Sequence, residues 1–206
     1  MITIKVRTKN PRADAPAIGP QVPGRPGPVV TATGVLMALW CLGFAAVDVV
    51  FEVTDHFGSG ADANYTAGIS VMDWLAVALK VVGASVALLS AVHRPKLASP
   101  AVVTVLVWAS FATLGAYVLG SVAEAAGMGL GLIGSTDQID TRNMAYVLFF
   151  LIAAVGYGVL ATSYSRRHPP GKGLVILGVL GAPALLGLLL LAVPALLAAF
   201  GLLPAP

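Results

Sequence analysis

The chain has 206 residues, of which 58% are hydrophobic and only 10% are charged. Because a soluble domain usually carries about a quarter charged residues, this composition excludes an ordinary water-soluble fold. The formal net charge is +3, and the single cysteine, Cys41, excludes an intrachain disulfide and a zinc site built on several cysteines.

The first 28 residues combine several prolines with five basic residues. Their opening stretch, MITIKVR, alternates apolar and polar side chains as a short strand would, but no partner strand follows. We therefore predict a disordered, basic and proline-rich cytoplasmic tail over residues 1–28. Its charge would set the orientation of the protein in the membrane or, alternatively, dock the tail to anionic lipid or a cytosolic partner.

Five apolar blocks follow the tail, each about 20 residues or longer and so long enough to cross roughly 30 Å of hydrocarbon as a helix. Backbone groups in lipid must be paired within their own segment, and the blocks lack the alternation typical of a membrane β-barrel. The sequence therefore predicts an all-α integral membrane protein, a five-transmembrane-helix bundle over residues 29–203. The predicted spans cover residues 29–51, 67–92, 100–123, 144–164 and 173–200.

Charged residues are distributed unevenly between the two sides of this bundle. Ten of the 12 basic residues fall in the tail and in the connections after the second and fourth blocks, which lie on one side. Eight of the nine acids fall in loops or span ends on the other side. The positive-inside rule then predicts a cytoplasmic N-terminus and an extracytoplasmic C-terminus. The alanine, glycine and proline content indicates a bacterium, so we expect the inner (plasma) membrane.

One glycine pattern matches a nucleotide-binding motif. Gly129, Gly131 and Gly134 have the spacing G-x-G-x-x-G. That motif requires a preceding strand and a following helix, whereas here it follows a predicted span. We interpret it as a flexible or re-entrant glycine loop.

The second block contains two charged residues, Asp73 and Lys80, inside a predicted span. They are seven positions apart, so on a helix they lie within about 20° of each other. Small residues share their face and bulky aliphatic residues occupy the opposite one, which predicts that Lys80 faces protein rather than lipid. Because helical side chains lean toward the N-terminus of their helix, we expect Lys80 to approach Asp73.

Polar residues of the first and third blocks are predicted to lie at similar depths. Asp48 lies about one turn below the outer end of its span, and Cys41 lies near the level of Lys80. We expect these side chains to line a cavity that is open to the outside, with Lys80 at its floor. The predicted intramembrane polar cluster, binding or structural in role, consists of Asp48, Asp73, Lys80, Cys41, Ser110, Thr113, Tyr117, Ser121 and Glu124.

Three functions fit this pattern. The first is a non-catalytic accessory or assembly subunit of a membrane complex, in which the charged residues only hold helices together. The second is a proton- or cation-coupled transporter, with Asp48 and Asp73 exchanging the ion and Lys80 as counter-ion. The third is a membrane-embedded enzyme, with Cys41 or Lys80 as nucleophile.

The sequence favours the accessory subunit over an enzyme. Intramembrane chemistry commonly needs a histidine or metal cluster, whereas all three histidines lie at loops or span ends. We therefore predict no catalytic residue, no metal and no cofactor. The expected partners are the lipid bilayer and either another membrane protein or a second copy of the chain. Nucleic acid is not expected, because the basic residues are scattered and the tail lacks aromatic residues.

Overall fold

The computed structural model describes residues 26–54, 66–92, 98–132, 134 and 140–201. In this part of the chain the helices are α1 Pro28–Val53, α2 Thr66–Ala91, α3 Pro100–Gly129, α4 Thr141–Arg167 and α5 Lys172–Ala199. Each is long and apolar enough to cross a membrane, so the prediction of five apolar helices is confirmed. Residues 1–25 of the predicted tail lie outside the described residues, and the orientation of the bundle stays a prediction.

The third and fourth helices extend beyond their predicted spans, because the spans were limited to apolar residues. At its C-terminus α3 ends in a Schellman motif: Gly131 has a φ of 69°, and the Leu132 N–H donates to the Gly127 carbonyl. Two glycines of the G-x-G-x-x-G pattern, Gly129 and Gly131, therefore complete and terminate a helix. No strand precedes them in the described chain.

The helices pack in a definite order. The most extensive contacts join α1 to α2, α3 to α4 and α3 to α5, and α4 also contacts α1 and α2. Gly34 of α1 meets Ala91 of α2, whereas Asp48 meets Lys80, so these two helices are antiparallel. The fifth helix lies at the edge of the bundle against α3, and it runs on through both of its internal prolines.

The bundle has two halves with different charge. We call the half with the starts of α1, α3 and α5 the basic half; it comprises residues 28–40, 79–91, 100–114, 154–167 and 172–185. We call the other the acidic half; it comprises residues 41–53, 66–78, 115–129, 141–153 and 186–199. Apart from Lys80 near the midplane, the Lys and Arg residues of the basic half are Arg166, Arg167 and Lys172, whereas the acids of the acidic half are Asp48, Glu52, Asp73 and Glu124.

Burial is concentrated in the basic half. Ala87, Val107 and Leu160 are fully buried there, on three different helices. Among the residues whose burial is described, the acidic half contributes only Ala45, Val118 and Leu197 to the core away from the midplane. The helices therefore cover one another closely at the basic end and much less at the acidic end.

Glycines explain part of this difference. A Cβ atom added at Gly34 would collide with the Ala91 Cβ and lie 3.0 Å from the Ala87 carbonyl oxygen. Among the glycines whose surroundings are described, those that allow such close contact between helices lie in the basic half; they are Gly34, Gly83, Gly156, Gly158 and Gly178. Added Cβ atoms at Gly43 or Gly115 in the acidic half would meet no described atom within 4 Å. The described glycines thus bring the helices together at the basic end, whereas in the acidic half the buried small residue away from the midplane is Ala45.

Candidate functional site

Lys80 and Asp48 form an ion pair across the α1–α2 contact. The Lys80 Nζ donates to Asp48 Oδ2, and the two side chains are 27% and 19% exposed. The same ammonium lies 6.0 Å from the centroid of the Phe44 ring, at the limit of a cation–π contact. Because Phe44 precedes Asp48 by one turn, α1 contacts the Lys80 ammonium with both a carboxylate and an aromatic ring. The charge is partly buried but not isolated.

Asp73 lies further from the lysine than the helical wheel suggests. Seven residues along one helix correspond to about 10 Å, more than a lysine side chain spans, whereas α1 brings Asp48 directly opposite Lys80. Asp73 still interacts electrostatically with Asp48, Glu52 and Lys80. Asp73 therefore lies within electrostatic range of two other carboxylates and of one ammonium.

A second polar contact joins the same two helices closer to the acidic end. The Ser70 hydroxyl donates to the Glu52 Oε1, and both side chains are partly buried. Glu52 follows Asp48 by one turn, so both carboxylates lie on the α1 face that meets α2. Neither residue belongs to the predicted polar cluster, and Ser70 was missed because a serine near a helix start has no distinctive pattern.

Cys41 contacts α4 rather than the charged pair. Its Sγ shares a buried hydrogen bond of 3.1 Å with the Tyr157 hydroxyl. A Cβ atom added at Gly83 of α2 would lie 3.2 Å from both of these atoms, so the glycine makes room for the contact. Three helices therefore meet at this hydrogen bond. Tyr157 was outside the predicted cluster, since the polar residues of its span show only a weak pattern.

The polar residues of α3 have other partners. The Ser110 hydroxyl donates to the Leu106 carbonyl of its own helix, and the Tyr117 ring packs 4.6 Å from that of Phe150. Tyr117 is 47% exposed. Three more residues of α3 belong to the predicted polar cluster: Thr113, Ser121 and Glu124. None of them contacts the Asp48–Lys80 pair among the described contacts. The structure thus pairs Asp48 with Lys80. The predicted cavity that opens to the outside and is lined in part by α3 stays a prediction.

An aromatic cluster lies beside the ion pair on its α4 side. Trp40 and Phe44 of α1 pack against Phe149 and Phe150 of α4, with ring centroids 5.3 to 5.9 Å apart. The Trp40 Nε1 is buried without a hydrogen-bond partner in the described part of the chain. Sequence reasoning missed this cluster, although the i, i+4 spacing of Trp40 and Phe44 and the Phe149–Phe150 pair are visible signals.

No group of three or more His, Cys, Asp and Glu side chains within the described residues is arranged to hold a metal ion. Comparisons with protein-family models, with characterised proteins and with solved structures found no match. The functional argument therefore depends on this chain's own residues.

Proposed function

We propose that this chain is a multi-pass membrane protein that acts as a non-catalytic accessory or assembly subunit of a membrane complex. Its place would be the bacterial inner membrane, with the N-terminus in the cytoplasm. One observation carries the proposal: polar side chains within the spans are engaged between helices of the chain itself. These contacts are Ser70–Glu52, Lys80–Asp48 and Cys41–Tyr157.

Such contacts suit a structural role. An unpaired lysine near the middle of a bilayer costs about 3 kcal/mol by insertion scales, and a carboxylate partner lowers that cost. An ion pair with fixed partners also favours one register of α1 against α2, because a shift of one turn would separate the charges. In this role Lys80 holds a helix pair in place, and its charge does not change.

The acidic half provides the surface for a partner. Its helices cover one another little, and Met144 and Leu148, about 40° apart on one face of α4, are exposed there. A second membrane protein or a second copy of this chain would cover this face. The basic half, being closely packed, would keep the subunit folded before assembly.

Purification from native membranes in mild detergent tests this proposal. We expect the tagged full-length chain to elute from a sizing column with one other membrane protein, or with a second copy of itself, at fixed stoichiometry. Replacing Leu148 with Ala should weaken the assembly, whereas replacing Leu36, an equally exposed residue of the basic half, with Ala should not. A chain that elutes as a monomer in every mild detergent would contradict the subunit role.

Asp73 favours a second candidate, a proton- or cation-coupled transporter. It interacts with the carboxylates of Asp48 and Glu52 as well as with Lys80, and a proton or a cation would neutralise part of this negative charge. Lys80 would then serve as the internal counter-ion. The packing below the site argues against a path through the protein, since Ala84, Ala87 and other apolar side chains are buried there.

Proteoliposomes separate the two candidates. Transport predicts proton or cation uptake that Lys80→Met abolishes while the variant remains folded in the membrane. Arg142→Gln, which removes a basic residue far from the site, should leave the uptake unchanged. Wild-type uptake that does not exceed that of empty liposomes, or that Lys80→Met leaves unchanged, would eliminate the transporter and leave the subunit role.

A further inference from the structure

The connection between α4 and α5 concentrates positive charge. Arg166, Arg167 and His168 end α4, and Lys172 begins α5. No carboxylate lies in the basic half among the described residues. The charge of this end is therefore not balanced within the described chain, in contrast to the Lys80–Asp48 pair near the midplane.

Arg167 has a structural task at this end. Its Nη2 donates to the Ser90 carbonyl oxygen at 2.6 Å, and its Nε donates to the Ser163 carbonyl oxygen at 3.3 Å. The last carbonyls of a helix lack intrahelical partners, so Arg167 satisfies one at the end of α2 while holding α2 against α4. This contact fixes the position of the neighbouring residues.

Arg166 and Lys172 are exposed instead. No ion pair engages either side chain in the described part of the chain. Five residues separate them along the chain, including two prolines that prevent α4 from continuing. Both positive charges are thus free to bind an anion at the end of the bundle.

Two aromatic residues lie at this end of the bundle, the buried Tyr164 and the partly buried Trp108. The Tyr164 ring stacks on that of His168 with centroids 4.7 Å apart, and the Trp108 Nε1 donates to the Ser165 hydroxyl at 3.0 Å. Tyrosine and tryptophan with one polar end are enriched at the level of lipid headgroups. Beyond them, Ile176 and Leu177 of α5 are exposed and apolar, as a surface in contact with acyl chains requires.

We propose that this connection binds the headgroup of an anionic phospholipid. The phosphate oxygens accept hydrogen bonds from the Arg166 guanidinium and the Lys172 ammonium, and the acyl chains lie along the start of α5. The hydrogen bond from Arg167 to the Ser90 carbonyl oxygen holds α2 against α4 and so fixes the position of this site. This inference requires the protein to be in a membrane, but it is independent of the subunit role and of the orientation.

Native mass spectrometry of the full-length chain in mild detergent tests the site. With phosphatidylglycerol and phosphatidylcholine added at equal concentration, we expect the wild-type chain to retain phosphatidylglycerol preferentially. The double variant Arg166→Gln, Lys172→Gln should lose roughly fivefold in relative affinity for each basic residue removed. The control is Arg142→Gln, an exposed arginine at the acidic end, which should keep the preference.

Three outcomes would overturn the proposal. Equal retention of both lipids by the wild-type chain would show that the charge is not used. A loss in the Arg142→Gln variant as large as that in the double variant would indicate a general effect of net charge. Displacement of the lipid by inorganic phosphate at equal concentration would indicate a site for free anions. None of these results affects the test of the subunit role by co-purification.

Discussion

The basic and acidic halves of this bundle belong to the same five helices, yet different contacts hold them together. In the basic half, glycines and alanines let helix backbones approach, as at Gly34 and Gly178, and side chains are buried. In the acidic half, the contacts are an ion pair at the midplane boundary, a serine–glutamate hydrogen bond and packed aromatic rings.

This difference has a physical origin. Lipid chains are as apolar as leucine, so burial alone does not drive helices together within a membrane. Close packing through small residues and hydrogen bonds between polar groups are the two remaining sources of association. The basic half combines the two, since Arg167 and Trp108 also form hydrogen bonds between helices there, whereas the acidic half depends more on the second. We therefore expect a rigid basic half and a more adaptable acidic half.

The largest loss of stability is expected when a methyl group is added between the closely packed helices of the basic half. In the Gly34→Ala variant the new Cβ would collide with Ala91 and with the backbone at Ala87, neither of which has a flexible end to move aside. We expect a loss of about 3 kcal/mol in the free energy of unfolding, measured by SDS titration in mixed micelles. Gly43→Ala on the same helix is the matched control. Equal losses of stability for Gly34→Ala and Gly43→Ala would show that the helices do not pack more closely in the basic half than in the acidic half.

A smaller loss is expected when the ion pair is broken. Lys80→Met leaves Asp48 partly buried without its partner, and Asp48→Asn does the same to Lys80. Because the pair is partly exposed, each change should cost about 2 kcal/mol, between the values for surface and buried pairs. The double variant should recover part of this loss in the same titration. Additive losses would mean that the two residues do not stabilise the helix pair together.

The Cys41–Tyr157 hydrogen bond should contribute less. Tyr157→Phe keeps the buried ring and removes only the hydroxyl that contacts the thiol. We expect a loss of about 1 kcal/mol in the free energy of unfolding, as for a typical hydrogen bond. Tyr146→Phe, at an exposed position of the same helix, should be neutral. A neutral Tyr157→Phe would show that packing alone joins the three helices at the midplane.

The sequence predicts some of this arrangement and misses the rest for identifiable reasons. Hydropathy and length predict the five helices, and the wheel of α2 correctly groups Lys80 with small residues, because both patterns are local. The pairing with Asp48 depends on the relative depth and rotation of two helices, which a pattern within one helix does not determine. The seven-residue spacing places Gly34 on the face of α1 that carries Cys41 and Asp48, and Gly43 on another face, but this spacing does not identify α2 as the helix that Gly34 contacts.

The smallest expected effect concerns the acidic end itself. Arg142 is 76% exposed and its Nε lies 3.8 Å from the Asp140 carboxylate. Exposed ion pairs contribute at most about 1 kcal/mol, and the N-terminal cap of α4 uses the backbone N–H of Arg142, which any residue supplies. Arg142→Gln should therefore change the free energy of unfolding by less than about 0.5 kcal/mol in the SDS titration. A larger loss would show that surface charge holds the acidic half together. The looser packing of the acidic half would then not be evidence that it is the more adaptable end.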